Sequence, residues 1–307
     1  MKDIDSQIPL SSLTTFQIGG PARYLVEIKN VTEIGEAIEY ARHNGLAFSI
    51  LGGGSNVLAS DSGFDGLIIR IAGGEAIVSG LDMQAGAGCN LWETIIQSSQ
   101  SGLGGWEMLA GIPGTMGGAI RGNAGAFGME IKDVVVSVQV LHRETLETKQ
   151  FQKDECDFAY RTSFFKTHPE WIIVSAQVRL AQVEASKSGE LIRETIHERE
   201  KRHLQNVRSA GSYFTNPVAP RDIQEMFEKE KNSKSKEGRV PAGWLIEKIG
   251  MKGARVGDAE ASEQHPNYLK NNGKATAADV RELARLIKEQ VKEKYGIQLQ
   301  EEAALLE

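Results

Sequence analysis

The 307-residue sequence is poor in cysteine, in unbroken apolar runs and in blocks of one charge. Its two cysteines, Cys89 and Cys156, stand far apart and form no metal-ligand spacing, so no metal site is expected. A disulfide between them stays open, but a reduced, cytoplasmic protein is the simpler reading. No stretch approaches the roughly 20 apolar residues that span a bilayer. The opening MKDIDSQIPL carries three charges in its first five residues and no apolar segment, so no signal peptide is expected. Net charge is −6 without a long basic block, which argues against bulk nucleic-acid binding.

What the sequence has in excess is glycine, with 33 residues, many of them between 52 and 128. Crowded glycine marks backbone held close to something, because no Cβ keeps a neighbour away. Around these loops, strands and helices alternate, which predicts an α/β or α+β protein. Residues 24–28, 48–51 and 66–71 read as strands. Asn30 is placed to cap a helix over 31–44, with Ile34, Ala37, Ile38 and Ala41 as its apolar stripe and Gly45 as its stop. A second helix pattern covers 91–99, and the β-branched runs 134–141 and 171–180 predict sheet. Near 185 the character changes, and a soft domain boundary is placed there. Residues 189–205 make a charged helix pattern, and 228–239 read as a solvated charged loop. One amphipathic helix remains in the last third, over 276–295, with Val280, Leu283, Leu286, Ile287 and Val291 on one face. The run IQLQEEAALLE after it looks like a strand.

The loop GGGSN (52–56) follows a strand, and the longer LAGIPGTMGGAIRGNAGAFG (109–128) holds too many glycines for a helix or a paired strand. Clustered glycines let successive N–H groups approach an anion such as a pyrophosphate. The spacing matches neither G-x-G-x-x-G at a strand–helix junction nor G-x-x-x-x-G-K-[ST], so no Rossmann site or P-loop is supported. Composition alone leaves tight turns and ligand sites both open. The run AGSYFTNP (210–217) puts Ser212 between a glycine and an aromatic residue. No Gly-x-Ser-x-Gly surrounds it and no histidine is close, so it is not expected to be a hydrolase nucleophile. A turn serine bonded to its own backbone is the plain alternative.

Seven motifs in order resemble those of one enzyme family. They are TTFQIGGPA (14–22), GGGSN (52–56), GIPGTMGGAIRGNAGAFG (111–128), YRTSFF (160–165), GSYFTNP (211–217), AGWLIEKIGMKG (242–253) and GIQLQEE (296–302). The chain is similar, over nearly its whole length, to the MurB family of UDP-N-acetylenolpyruvoylglucosamine reductases, in its shorter form. The resemblance implies an α+β fold. A two-lobed FAD-binding domain of the vanillyl-alcohol-oxidase (PCMH) type would occupy residues 1–185, with lobes over roughly 1–75 and 76–185. A smaller α+β substrate-binding domain would follow over 186–307.

It further implies non-covalent FAD and NADPH as hydride-donating co-substrate. Gly52, Gly53, Gly54, Ser55 and Asn56 would line FAD from the first loop. Gly111, Ile112, Pro113, Gly114, Thr115, Gly118, Ala119, Asn123 and Gly125 would do so from the second. The implied reaction, in peptidoglycan precursor synthesis, has two hydride transfers and ends with the enolpyruvyl ether of a UDP-sugar reduced to a lactyl ether. Arg161 in YRTSFF matches the family's arginine, a guanidinium fork for a carboxylate that becomes an enolate. Ser212 matches the proton donor. Glu302 matches the terminal carboxylate in Leu299-Gln300-Glu301-Glu302-Ala303, with Glu301 where relatives commonly have proline. Strand alternation puts the two glutamates on opposite faces, both apolar enough to receive a carboxylate, and Glu301 stays the alternative.

Asn216 either presents its amide to the substrate or starts the Asn-Pro turn. Many relatives carry a basic residue where Thr215 stands. His265 is expected to be structural, and Arg239, Lys252 and Lys270 are all open as partners of the UDP phosphates. Two other readings compete: a different flavin oxidase, and a catalytically silent nucleotide-binding module. No histidine or cysteine lies inside either glycine loop, which argues against covalent flavin. All three implied site residue types are present, which argues against a silent module. Beyond small molecules, no protein partner is implied.

Overall fold

Asn30 starts the first helix where its position predicts. Its side chain accepts the Glu33 N–H at 3.0 Å and caps α1, Val31–His43. The stripe Ile34, Ala37, Ile38 and Ala41 is buried, and Gly45 turns the chain at φ +62°. α1 packs on a parallel sheet in which Phe64–Ile71 runs between Pro21–Ile28 and Ala47–Leu51. The unbroken run Leu67-Ile68-Ile69 has no exposed side chain, as expected of a central parallel strand buried on both faces.

The structure, a computed structural model, describes residues 4–202 and 206–307. One compact unit takes the chain up to Ile8, Ala22–Gly54 and Phe64–Lys201. The other takes Pro9–Pro21, Ser55–Gly63 and the chain from Arg202 onward.

The first unit adds to its parallel sheet a five-stranded antiparallel one, so it has two lobes on one core. The strand order is Thr148–Gln152, Val135–His142, Trp171–Arg179, Asp82–Gly86, Ala76–Ser79. Two of its three interior strands, Val135–His142 and Trp171–Arg179, are the β-branched runs expected as sheet. α2, Leu91–Gln100, starts at Asn90, whose side chain accepts the Glu93 N–H at 3.1 Å. The glycine-rich stretch 109–128 departs from expectation, because it contains α3, Met116–Arg121, and a pairing of Gly125–Ala126 with Met129–Glu130. Close packing is the reason: a Cβ on Gly117 would lie 2.9 Å from Ala87 Cβ, so glycine there lets a helix approach rather than breaking it. α4, Phe164–Thr167, is a single turn. α5, Ala185–Lys201, packs on α2 and on the turn Glu107–Leu109, where Ser188 Oγ donates to buried Glu107 at 2.6 Å. The change of character near 185 coincides with the start of α5, whereas the units divide after Lys201. The end of the charged helix pattern, residues 203–205, lies outside the described residues.

Among the described residues the second unit has three α-helices, two more than the sequence predicted. α6, Arg221–Lys231, buries Ile223 and Phe227 one turn apart, and this stripe carries the helix into residues expected to be loop. Lys248 pairs with Glu230 at 2.5 Å and holds that last turn. α7, Ala242–Lys248, buries Trp244, Leu245 and Ile246. α8, Ala277–Tyr295, is the amphipathic helix expected, with Thr276 and Asp279 as a capping box and Gly296 ending it at φ +66°. Asp61 reinforces its start by accepting the N–H groups of Ala277 and Ala278 at 2.8 and 3.0 Å. A small antiparallel sheet orders Arg255–Val256, Ala259–Ala261 and Leu269–Asn271. Of the strand-like tail, only Ala304–Leu306 is a strand, parallel to Val57–Ala59. Among the described residues no helix is long and apolar enough to cross a membrane.

Candidate active site

The first unit presses its two glycine loops together. A Cβ on Gly53 would stand 2.9 Å from Gly114 Cα, and one on Gly52 would stand 2.8 Å from Thr115 Oγ1. Contact therefore demands glycine at 53, where the obstacle is backbone. The second loop is fixed against the start of α2: Leu91 N–H donates to Gly114 O at 3.1 Å and Met116 N–H to Cys89 O at 2.9 Å. Thr115 caps α3, accepting the Gly118 N–H on Oγ1 at 3.3 Å and the Ala119 N–H on its carbonyl at 2.9 Å. Ile112 N–H closes a turn onto Leu109 O at 3.2 Å, with Gly111 at φ +77°. Buried Gly54 and half-buried Gly53 have N–H groups that meet no acceptor among the described residues. Buried donors normally have partners, so these two fit an anionic group, and the loops have the form of a phosphate cradle. Cys89 borders this region, and burial raises its thiol pKa, which keeps it protonated and unreactive.

Asn123 has another use for its side chain. Wholly buried, it donates through Nδ2 to Glu130 Oε2 at 3.0 Å and Ala159 O at 2.9 Å, and accepts the Lys132 N–H at 3.3 Å. It thus braces the hairpin turn that carries Arg161, in which Ala159 and Thr162 exchange backbone bonds at 3.1 and 3.2 Å. Arg161 itself is left-handed, at φ +56°, a position turns usually give to glycine or asparagine. Lys166 Nζ holds its carbonyl at 3.0 Å. Its Nη2 donates to Gly125 O at 2.7 Å, and Nη1 is 4.0 Å from Glu130 Oε1. A Cβ on Gly125 would meet Met129 O at 2.6 Å and Glu130 Cγ at 2.8 Å before reaching that guanidinium at 3.1 Å, so the hairpin itself requires glycine here and the arginine shares the space.

The second unit holds Ser55, Asn56, Ser212, Asn216 and Glu302. Ser212 follows Gly211, at φ +73°, and its hydroxyl makes no hydrogen bond with a described residue. It is not the self-bonded turn serine weighed above. The residues after it are clamped. Tyr213 N–H donates to Asn267 O at 2.7 Å, and Phe214 exchanges bonds with the Asn267 side chain at 3.0 and 2.8 Å. Opposite them, Thr215 N–H donates to Gln300 O at 2.9 Å and Glu302 N–H to Tyr213 O at 2.8 Å. The structure so brings Ser212 and Glu302 onto neighbouring segments. Asn56 joins them, its Nδ2 donating to Glu302 O at 3.2 Å. Glu301 gives its carboxylate to Lys288 Nζ at 2.5 Å and Tyr213 OH at 3.3 Å.

Asn216 Oδ1 accepts the Ala242 N–H at 3.0 Å and so caps α7, whose N-cap residue, Pro241, offers no side-chain cap of its own. Arg239 donates to Asn216 O at 2.9 Å and lines a cavity of about 550 Å³ with Thr215, Pro217, Ala219, Ile297 and Gln300. Lys270 instead serves buried Glu260 at 2.9 Å, and Lys252 is 3.9 Å from Glu247. His265 packs at a tilt against Tyr268, its buried Nδ1 meets no partner among the described residues, and burial lowers its pKa, which favours the neutral ring. Glu130, Lys166, Asn267 and Lys288 had not been singled out from the sequence. None sits in a periodic pattern that marks it, although Glu130 and Lys166 border quoted motifs.

Comparison with known proteins gives two family matches. Residues 200–306 match the UDP-N-acetylenolpyruvoylglucosamine reductase C-terminal domain, and residues 22–145 match an FAD binding domain. The chain is 35% identical over 302 residues to the UDP-N-acetylenolpyruvoylglucosamine reductase of Solibacter usitatus, covering 97% of this chain and 95% of that one. It is 37% identical over 300 residues to that of Carboxydothermus hydrogenoformans, at 97% and 92% coverage. The crystal structure of the UDP-N-acetylenolpyruvylglucosamine reductase (MurB) from Thermus caldophilus superposes with a TM-score of 0.78 at 31% identity, covering 99% of this chain and 98% of that one.

Proposed function

This chain belongs to the UDP-N-acetylenolpyruvoylglucosamine reductase family, and on that premise we propose that it reduces the enolpyruvyl ether of UDP-N-acetylglucosamine to UDP-N-acetylmuramate. The reaction is a step of peptidoglycan precursor synthesis and takes place in the cytoplasm, a location consistent with two free, buried thiols. FAD, held non-covalently, supplies the two-electron carrier between NADPH and the alkene.

The chain's own residues divide the rest of the work. The N–H groups of Gly53 and Gly54 would hold the cofactor's phosphates, and Thr115 and Gly114 shape the second wall of that cradle. Asn123 and Gly125 act behind it by seating Arg161. Arg161 takes the substrate carboxylate, and its attraction grows as negative charge spreads onto that group. A donor of this kind contributes about 2.7–4 kcal/mol to the transition state. Its left-handed turn fixes the direction of approach before substrate arrives, so little ordering is left to do at binding.

Ser212 gives its proton to the carbon beside the carboxylate. An enolate carbon is basic enough to take a proton from a hydroxyl, and a positioned donor contributes about 10²–10⁴-fold in rate. Glu302 is the carboxyl group of the site, the residue that the family's terminal motif aligned on Leu299 selects. Asn216 shapes the turn beside the cavity, where Arg239 is the cation placed to meet a UDP phosphate. The observation that carries this reading is Ser212, a hydroxyl without a hydrogen-bond partner among the described residues, on a segment clamped by Asn267 and Glu302.

Anaerobic half-reactions test it. Purified protein should show a flavin absorbance band, NADPH should bleach it, and the UDP-enolpyruvyl sugar should restore it. Absence of the band, or restoration by oxygen but not by the sugar, would overturn the assignment.

A further inference from the structure

Position 301 has an unusual backbone setting. Phe214 and Glu301 face each other in an isolated antiparallel bridge, and the flanking bonds run from Thr215 N–H to Gln300 O and from Glu302 N–H to Tyr213 O. The neighbours of Glu301 therefore make the ladder bonds, and what position 301 adds to this bridge is its side chain. That side chain reaches two partners at once. Lys288 Nζ donates to Oε1 at 2.5 Å, and the hydroxyl of Tyr213, a residue only 1% exposed, donates to Oε2 at 3.3 Å.

We infer that Glu301, anchored by Lys288, is a positioning residue that holds Ser212 for proton transfer. The inference rests on the role given to Ser212 above. Lys288 lies on α8, whose start is fixed twice over, by its own capping box and by Asp61. One carboxylate thus ties a rigid helix to the ring of the residue that follows Ser212. Asn267 grips the backbone of Tyr213 and Phe214. Glu301 adds the grip on the Tyr213 side chain, so the segment is held against both translation and roll. On the other side of Ser212 the chain has left-handed Gly211, around which a Cβ would meet no atom within 4 Å. Glycine there offers little resistance to rotation, so control of the hydroxyl has to come from the Tyr213 side.

Stopped-flow half-reactions of the FAD-loaded enzyme test this. Glu301→Gln and Lys288→Met should each leave bleaching by NADPH within about twofold of the parent. Each should slow reoxidation by the enolpyruvyl substrate about tenfold at unchanged KM, since misplacement by 1 Å can cost on the order of 10²-fold. Lys288→Arg keeps the charge and should restore most of the rate. The double variant should be no slower than either single one, because both remove the same clamp. Should Glu301→Gln fail to hold FAD, Lys288→Met carries the test alone, since it touches only the far end of the clamp. Unchanged reoxidation in both single variants, or equal slowing of both half-reactions, overturns the inference and leaves the role of Ser212 standing. Wild-type reoxidation in Ser212→Ala removes the role on which it rests.

Discussion

Replacing Gly53 by alanine isolates the contact between the two glycine loops. The added Cβ would lie 2.9 Å from Gly114 Cα and 3.4 Å from Gly114 C, against backbone that has no rotamer to change. Carbon atoms sit comfortably about 3.5–4.0 Å apart. The loops must therefore part by about 0.6–1.1 Å. Overpacking of this kind costs about 1–3 kcal/mol, so the cofactor-free protein should melt several degrees lower. The same displacement moves the N–H groups of Gly53 and Gly54 off their anion. A hydrogen bond to a charged group is worth about 1.5–3 kcal/mol, so losing one weakens FAD binding about 10- to 100-fold. Titration of apoprotein with FAD, followed by quenching of flavin fluorescence, measures the change. Gly35→Ala is the control. It sits inside α1, its Cβ would meet nothing within 4 Å, and it should stabilise by about 0.5–1 kcal/mol without touching affinity. FAD affinity within about twofold of wild type in Gly53→Ala would refute the cradle, since a lost bond must show at that scale.

Three further outcomes are expected. Ser212→Ala should still be bleached by NADPH but be reoxidised by the enolpyruvyl substrate about 10²–10⁴-fold more slowly, read as flavin absorbance in anaerobic mixing. Asp61→Ala removes two bonds to the start of α8 and should cost about 1–2 kcal/mol in a urea titration. Acid should weaken the second unit through Glu228, whose carboxyl Ser235 and Lys234 hold down at about 2, against an ordinary 4.5. A depressed folded pKa contributes stability that is full above the ordinary value and is lost as pH falls towards the folded one. Denaturation midpoints between pH 4.5 and 2 should therefore decline less steeply in Ser235→Ala than in the parent.

How much of this was legible in the sequence depends on distance along the chain. Asn30, the α1 stripe and Gly45 each act on partners no more than about four positions away, so periodicity and capping chemistry reveal them. The β-branched runs at 135–142 and 171–179 likewise declare themselves by composition. The helix inside the glycine loop did not, because Gly117 is required by Ala87, a neighbour only in space. α6 was hidden because two apolar residues, Ile223 and Phe227, make too short a stripe in a charged background. At the proposed site, Arg161 and Ser212 were singled out through motifs. Their supports were not, since Asn267 lies 53 positions from Phe214 and Tyr213 lies 88 from Glu301. No local pattern encodes such pairs. Asn123 was placed by its motif, but its use as a brace for the arginine turn shows only in three dimensions.

The parallel pairing of Ala304–Leu306 with Val57–Ala59 has a consequence for how the protein is made. These strands lie about 250 positions apart in the chain, so closing them incurs a large loop entropy and cannot be an early event. A ribosome delivers the Val57 segment, with Asn56 beside it, long before its partner exists. Until Leu306 emerges, an unpaired edge waits in the nascent chain, where such edges invite aggregation. Because Asn56 also binds the carbonyl of Glu302, the same late event brings the carboxylate segment into place. Emergence of this strand and seating of the segment proposed to carry the site carboxylate are thereby one step, and a chain arrested before that strand would be left without either.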